Sequence, residues 1–289
     1  IYTMTSSTSN PDLVLLNIGY SELNANWNWK DIYSPFARIY YVDKGIARTK
    51  INGYTFDLKP DHLYLTPPFT LHDDECDSYF SLYYIHFYES TINTATIFDK
   101  YNFPVAIRTS PLDSELIKRL LAINPERNLK FFDPQFYDNP PTFSQYNAEN
   151  DKLPLHSMIE TQGILSQLIS RFLARRTEKL ESKDLRINIA LQYIHENIHN
   201  NIQLDNLSDL LHISNDHFIR IFKSEMKYTP LKYITMKKIE KAQLLLLTSN
   251  LSVKNIAYEL SYDNISYFTR LFKSYTNKTP VEYRSNFSQ

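Results

Sequence analysis

The 289-residue sequence has a single cysteine, Cys76, and only four glycines. One cysteine excludes an internal disulfide and any multi-cysteine zinc site. Four glycines cannot assemble glycine-rich phosphate cradles of the Walker or dinucleotide type, so nucleotide-dependent chemistry is not expected and no cofactor is called for. No uninterrupted apolar stretch approaches the ~18 residues needed to cross a bilayer. The polar start, Ile1 to Pro11, lacks the basic-then-apolar order of a signal peptide, so the expectation is a soluble, cytoplasmic chain with no membrane partner.

What is present supports a packed core: 43% apolar and 22% charged residues, in a length that suits two domains. The net charge of −1 divides unevenly. Residues 183–289 carry 14 Lys and Arg against 10 Asp and Glu, leaving 17 against 22 for residues 1–182. The basic last third permits a polyanionic partner without proving one.

From Pro35 to Tyr88, short β-type runs alternate with turn signals: Phe36–Val42, Ala47–Ile51, Tyr54–Leu58, Leu63–Thr66 and Tyr79–Tyr88. Asn52-Gly53 between two of them is a strong hairpin signal, because a type I′ turn needs positive φ at both central residues. This spacing predicts an antiparallel barrel or sandwich, with a helix over Asp113–Ile123 and an irregular connection over 131–154. Then Leu155, Met158, Gln162, Leu165, Ile169 and Phe172 follow heptad a/d spacing, a stripe that calls for a second subunit or the β domain as partner. Beyond a hinge from Arg175-Arg176 to Lys183 the pattern is helical. Leu185, Ile189, Tyr193 and Ile194 suggest one buried face, and Asp205, Ser214, Thr229-Pro230, Ser252, Asp263 and Thr279-Pro280 mark helix starts, with Glu282 completing a capping box.

Sliding residues 207–233 onto 257–283 without gaps superposes Leu210/Leu260, Phe218/Phe268, Arg220/Arg270, Phe222/Phe272, Lys223/Lys273, Thr229/Thr279, Pro230/Pro280 and Tyr233/Tyr283. Two copies of one unit are present, each a short helix, a turn and a second helix. On that second helix the phenylalanines, four apart, face a core, while the Arg and Lys, three apart, share another face. Arg can read guanine in the major groove and Lys can neutralise phosphate. The intervening Leu231–Leu247 helix, about 25 Å long at 1.5 Å per residue, can set two such helices on successive groove segments. A structural α-repeat with solvated cations is the alternative.

The stretch Ser214-Asn-Asp-His-Phe-Ile-Arg-Ile-Phe-Lys223, its counterpart Asn264-Ile-Ser-Tyr-Phe-Thr-Arg-Leu-Phe-Lys273 and the Thr279-Pro-Val-Glu-Tyr-Arg284 run resemble the DNA-binding region of AraC/XylS-type transcription regulators. The resemblance covers about 100 residues and implies a seven-helix module. By motif position it makes Asn215, Asp216, Ile219, Arg220, Ser266, Tyr267, Thr269 and Arg270 base-facing and Lys223 and Lys273 phosphate-facing. Family glycines are replaced by His212, Ser261, Lys227 and Asn277; at Lys227 a left-handed backbone costs on the order of 1 kcal/mol.

More weakly, Gly45, the Asn52-Gly53 hairpin, the run Leu65-Thr-Pro-Pro-Phe-Thr-Leu-His72 and Ile85-His-Phe87 resemble the cupin-like sensor domain that precedes such modules, which implies a small effector, commonly a sugar or related metabolite. A metal-dependent cupin enzyme is disfavoured, since no histidine precedes His62 and no His-x-His pair occurs. For a ligand pocket, Trp27 with Trp29, Arg38 with Tyr40, and Tyr84 with His86 share faces of extended segments, and His72 is a further candidate. The alternative is that these aromatics simply fill a core.

The sequence therefore predicts a multidomain β plus α protein: a cupin-like antiparallel β barrel with a helical extension over 1–150, a dimerisation helix and linker over 151–182, and an all-α double helix-turn-helix over 183–289. The expected function is transcription regulation, not enzymatic catalysis, with double-stranded DNA and a small-molecule effector as partners and a homodimer formed through helix 155–173. RNA polymerase is left open as a further partner, and a regulator whose barrel only dimerises is the alternative.

Overall fold

A computed structural model describes residues 10–90, 95–178 and 184–285, so the end of the expected hinge, residues 179–183, lies outside the described residues. The first eight strands are β1 (Leu13–Asn24), β2 (Asn28–Ile32), β3 (Ala37–Gly45), β4 (Ala47–Ile51), β5 (Tyr54–Leu58), β6 (His62–Thr66), β7 (His72–Glu75) and β8 (Tyr79–Glu89). Short elements follow: α1 (Ile97–Lys100), β9 (Tyr101–Asn102) and β10 (Ala106–Arg108). The helices α2 (Pro111–Ile123), α3 (Pro134–Tyr137), α4 (Pro140–Lys152) and α5 (Leu155–Leu173) complete this half, with β11 (Thr177–Glu178) pairing back to β9.

The closed, cupin-like barrel expected from the sequence does not form. Among the described residues the strands make a five-stranded sheet ordered β1-β8-β3-β6-β10 and a separate four-stranded sheet ordered β2-β7-β4-β5, with no ladder joining their edges. The reason is that the large sheet is buried on both faces. Ile39, Leu65, Ile85 and Phe87 pack against Ile117 of α2 and Leu168 of α5, while Tyr40, Val42, Leu82 and Tyr84 face Trp27, Ala47 and Leu58 on the small sheet's side. Nearly continuous burial along β8 is the mark of a strand covered on both faces, whereas an exposed barrel wall alternates. The chain passes between sheets at Gly45, where φ is 75° and a Cβ would fall 2.2 Å from the Tyr79 carbonyl oxygen. The Asn52-Gly53 turn has the required positive φ values, 52° and 82°, with Ile51 paired to Tyr54 across it.

The connection read as irregular contains α4. Asn139 caps it, accepting the Thr142 N–H at 3.1 Å, and Phe143 and Tyr146 are its buried residues in the core between the sheets. Two aromatics in an otherwise polar segment are too few to set a visible period. On α5 the buried stripe is Ile164, Leu165, Leu168, Ile169 and Phe172, while Leu155, Met158 and Ile159 at its start are exposed.

The C-terminal half is helical: α6 (Leu185–Glu196), α7 (Leu204–Leu210), α8 (Asn215–Met226), α9 (Pro230–Thr248), α10 (Val253–Glu259), α11 (Ile265–Thr276) and α12 (Pro280–Ser285). In α6 the buried residues include Ile187, Ala190, Leu191 and Ile194, whereas Leu185 and Ile189, expected inward, are exposed. Ser214, Thr229 and Ser252 cap their helices, and Thr279 and Glu282 form the reciprocal capping box. Asn264, not Asp263, caps α11, and Gln203 precedes α7 with Asp205 in its first turn.

Helix α9 belongs to two cores at once. Tyr233 and Ile234 join the core of α6, α7 and α8, and Ile239, Ala242 and Leu246 join that of α10 and α11. Lys238 straps these units, donating to the carbonyls of Asn200 at 2.8 Å and Leu260 at 2.7 Å. A third side of α9 meets the N-terminal half. Leu247 is buried among its aromatics, and Lys237 Nζ pairs with Asp99 at 3.2 Å and with Glu240 at 2.8 Å.

Candidate nucleic-acid interface and ligand chamber

The duplicated sequence produces duplicated geometry. Phe218 and Phe222 are fully buried, and Phe222 meets Tyr233 edge-on at 5.7 Å; Phe268 and Phe272 are likewise buried, and Phe272 meets Tyr283 edge-on at 5.4 Å. These rings fix which way α8 and α11 turn. With the phenylalanines inward, Asp216, Arg220 and Lys223 are exposed on α8 with Ile219 half-buried beside them, and Ser266, Tyr267, Arg270 and Lys273 are exposed on α11 beside half-buried Thr269. The spacing of three and four puts each set on one helix face. Arg220, Lys223, Arg270 and Lys273 make no ion pair with a carboxylate among the described residues. Asn215 differs: it is half-buried, and its Nδ2 donates to Asp205 at 2.5 Å, tying α8 to α7. Helix α9, at 19 residues, is about 28 Å long and carries both units along its length.

In the N-terminal half, Trp27, Trp29, Tyr40, Tyr84 and His86 line one cavity of about 10 Å³. The register explains the convergence, since β3 pairs with β8 at Arg38/His86 and Tyr40/Tyr84. Arg38 and His72 lie just behind this lining, and both are buried. Arg38 donates through Nη2 to Ser34 at 2.7 Å and lies over the Phe36 ring at 4.4 Å. His72 Nδ1 lies 2.8 Å from the Thr70 carbonyl oxygen. Burial, and then the Arg38 charge, hold His72 down at about 3, and burial, again followed by the Arg38 charge, holds His86 well below its ordinary value, so both are neutral near pH 7. Asp74, also at this cavity, is pushed up to about 6 by burial against the opposing hydrogen bond from Thr49 and the Arg38 charge. Arg38 Nε, Asp74 Oδ1 and both His86 ring nitrogens are buried with no hydrogen-bond partner.

Comparison with known proteins places both halves. The profile of the AraC-like ligand binding domain matches residues 10–193, and that of a helix-turn-helix domain matches residues 207–286. The chain belongs to the AraC family of DNA-binding transcription regulators. Among its relatives is the uncharacterized HTH-type transcriptional regulator YisR of Bacillus subtilis, 26% identical over 268 residues that cover 90% of this chain and 89% of YisR. An uncharacterized HTH-type transcriptional regulator of Haemophilus influenzae is 31% identical over 125 residues, but the match spans only 43% of this chain and 42% of that protein. The C-terminal domain of the two-component response regulator yesN from Fusobacterium nucleatum is 33% identical with a TM-score of 0.33, covering 37% of this chain and all of that domain. These relatives carry the names of regulators, not of enzymes.

The four positions where this AraC-family chain departs from glycine all adopt positive φ: His212 at 53°, Ser261 at 57°, Lys227 at 65° and Asn277 at 60°. The turns keep the left-handed geometry that glycine would adopt freely and bear the strain instead. Sequence reasoning missed Asp74 and Tyr137 at the cavity, and Asp138 behind it. The run His72-Asp73-Asp74-Glu75 looks like a solvated acidic edge, yet its burial alternates, so that His72 and Asp74 point inward. Reading it as a strand would have found Asp74. No helix among the described residues is long and apolar enough to cross a membrane.

Proposed function

We propose that this AraC-family regulator acts as a homodimer, sets α8 and α11 in successive major-groove segments, and responds to a small neutral polyhydroxy effector, a sugar or related metabolite, in the N-terminal chamber. One observation carries the effector reading: Asp74 Oδ1 and the His86 ring nitrogens are buried and unpartnered at one cavity, and Arg38 Nε, on the residue paired with His86, is buried and unpartnered beside it. Each such atom costs roughly 1–3 kcal/mol, which a ligand that pairs with it recovers. The set is mixed, because Arg38 donates, Asp74 accepts and neutral His86 does one of each; hydroxyls, which donate and accept, match it. The charge of Arg38 is already answered by Asp74 and Asp138, so an anionic ligand fits less well. The rings of Trp27, Trp29, Tyr40 and Tyr84 suit the apolar faces of a sugar.

The dimer is supported by the start of α5, where Leu155, Met158 and Ile159 are 71%, 43% and 64% exposed on one side. Thermal denaturation against a panel of sugars, sugar alcohols and sugar acids tests the effector. At least one polyol is expected to raise Tm for the native chain and not for Arg38→Gln or Asp74→Asn; a panel without effect overturns the effector reading. In sedimentation, Ile159→Asp is expected to halve the mass of the native species.

A further inference from the structure

The chamber of about 10 Å³ holds roughly one water molecule, so a sugar-sized ligand reaches Arg38, Asp74 and His86 only if a wall moves. The walls are unequal. β3 and β8 are interior strands of the large sheet with long ladders on both sides. β2 is an edge strand paired only with β7, at Asn28, Trp29 and Ile32, and its register slips between the last two. Asp31 in that slip has φ of 53°, a strained value for a non-glycine residue, and is pinned by its N–H donating to Asp73 at 2.9 Å. The wall that yields most readily is therefore β2, which carries Trp29 and Ile32.

Those two side chains also line a second space, a groove of about 550 Å³ on the other side of β2. The far side of this groove is not part of the N-terminal half. It is made by Lys278, next to the left-handed Asn277 that ends recognition helix α11, and by Tyr283 of α12, whose ring packs on Phe272 of α11. A polar thread runs across the same seam. Arg38 donates to Ser34, Ser34 is hydrogen-bonded to the Asp138 carboxylate, and the charges of Arg38 and Lys278 both act on Asp138.

We propose that the second helix-turn-helix unit is the lid of the effector chamber: the ligand passes through this groove by displacing β2, and Asp138, between Arg38 and Lys278, is the positioning residue through which an occupied chamber bears on α11. The proposal rests on the effector reading above, and gives it a direction, because a ligand that pushes β2 outward favours the arrangement in which Lys278 and Tyr283 have withdrawn.

The sequence has two tryptophans, both at the chamber, so Trp29→Phe leaves Trp27 as a fluorophore inside it and acrylamide as a neutral probe of access. In the full chain carrying Trp29→Phe, Lys30→Cys and Lys278→Cys, joining the groove's two sides with a short bis-maleimide is expected to lower the acrylamide quenching constant of Trp27 at least threefold. Unchanged quenching in protein shown by mass to be bridged overturns the lid. Asp138→Asn and Lys278→Ala, each on the unbridged Trp29→Phe chain, are expected to raise quenching about twofold, and the double variant no further; additive increases overturn the role of Asp138. Quenching needs no effector, so it decides the lid even if the sugar panel finds none. If a sugar does bind, an association rate unaffected by bridging overturns the lid and leaves the effector reading standing.

Discussion

Replacing Glu89 by Gln should stabilise the protein in a pH-dependent way whose size the structure sets. Glu89 ends β8, is 6% exposed, and lines a cleft of about 170 Å³ between the N-terminal half and α9. Burial, reinforced by the Asp99 carboxylate and only partly offset by the Ile97 N–H and the Lys100 and Lys241 charges, pushes its carboxyl up to about 7. A carboxyl raised from 4.5 binds its proton more tightly folded than unfolded, so its contribution is fully present below pH 4.5 and is lost as the pH rises through about 7. At 1.36 kcal/mol per tenfold, that loss is on the order of 3 kcal/mol. Gln keeps an acceptor for the Ile97 N–H, now 2.8 Å from Glu89 Oε2, and has no charge to bury. Urea unfolding of both chains at pH 4.5 and pH 8 should give nearly equal stability at the lower pH and a gain of about 2–3 kcal/mol for Glu89→Gln at the higher. Taking the difference between the chains cancels the other buried groups, including Asp74 and Asp138, which shift in the same sense, and His72, which shifts oppositely. A difference that does not change with pH refutes the reasoning.

Lys227→Gly should stabilise by about 0.5 kcal/mol, since it removes left-handed strain at φ 65° but frees the unfolded chain, and chemical denaturation reads the gain. Lys238→Met should cost roughly 2–4 kcal/mol, because it leaves the Asn200 and Leu260 carbonyls without the ammonium that joins the two units. Phe222→Ala and Phe272→Ala should each cost about 3–5 kcal/mol by opening a cavity beneath α8 and α11 respectively, and thermal melts of the two variants should show comparable losses.

How much of this was legible depended on period and repetition. The helix-turn-helix pair could be read because an exact shift of 50 residues repeats Phe218, Arg220, Phe222 and Lys223 with their Thr-Pro and Tyr partners, and the structure turns both copies the same way. The Asn52-Gly53 hairpin was legible for the same local reason, a turn that few dipeptides satisfy. β1 was not, because a strand covered by α5 on one side and aromatics on the other lacks alternation; nor was the layered order of the sheets, since strand composition does not reveal whether helices cover the outer face. At the chamber, face-sharing placed Trp27, Trp29, Tyr40, Tyr84 and His86 together, while buried Asp74 and half-buried Asp138 were hidden because a carboxylate turned inward has the same letter as an exposed one. The exposed Leu185 and Ile189 show the converse, apolar residues that pattern alone turned inward.

The central claim, two recognition helices reading two groove segments, is tested most directly by selecting duplexes from a random library and titrating the enriched sequence with the native chain, Arg220→Ala and Arg270→Ala. The account predicts a motif in two parts about one helical turn apart, with each substitution costing roughly 1–3 kcal/mol and relaxing base preference in one part only. An undivided, salt-sensitive affinity indifferent to both arginines would contradict it.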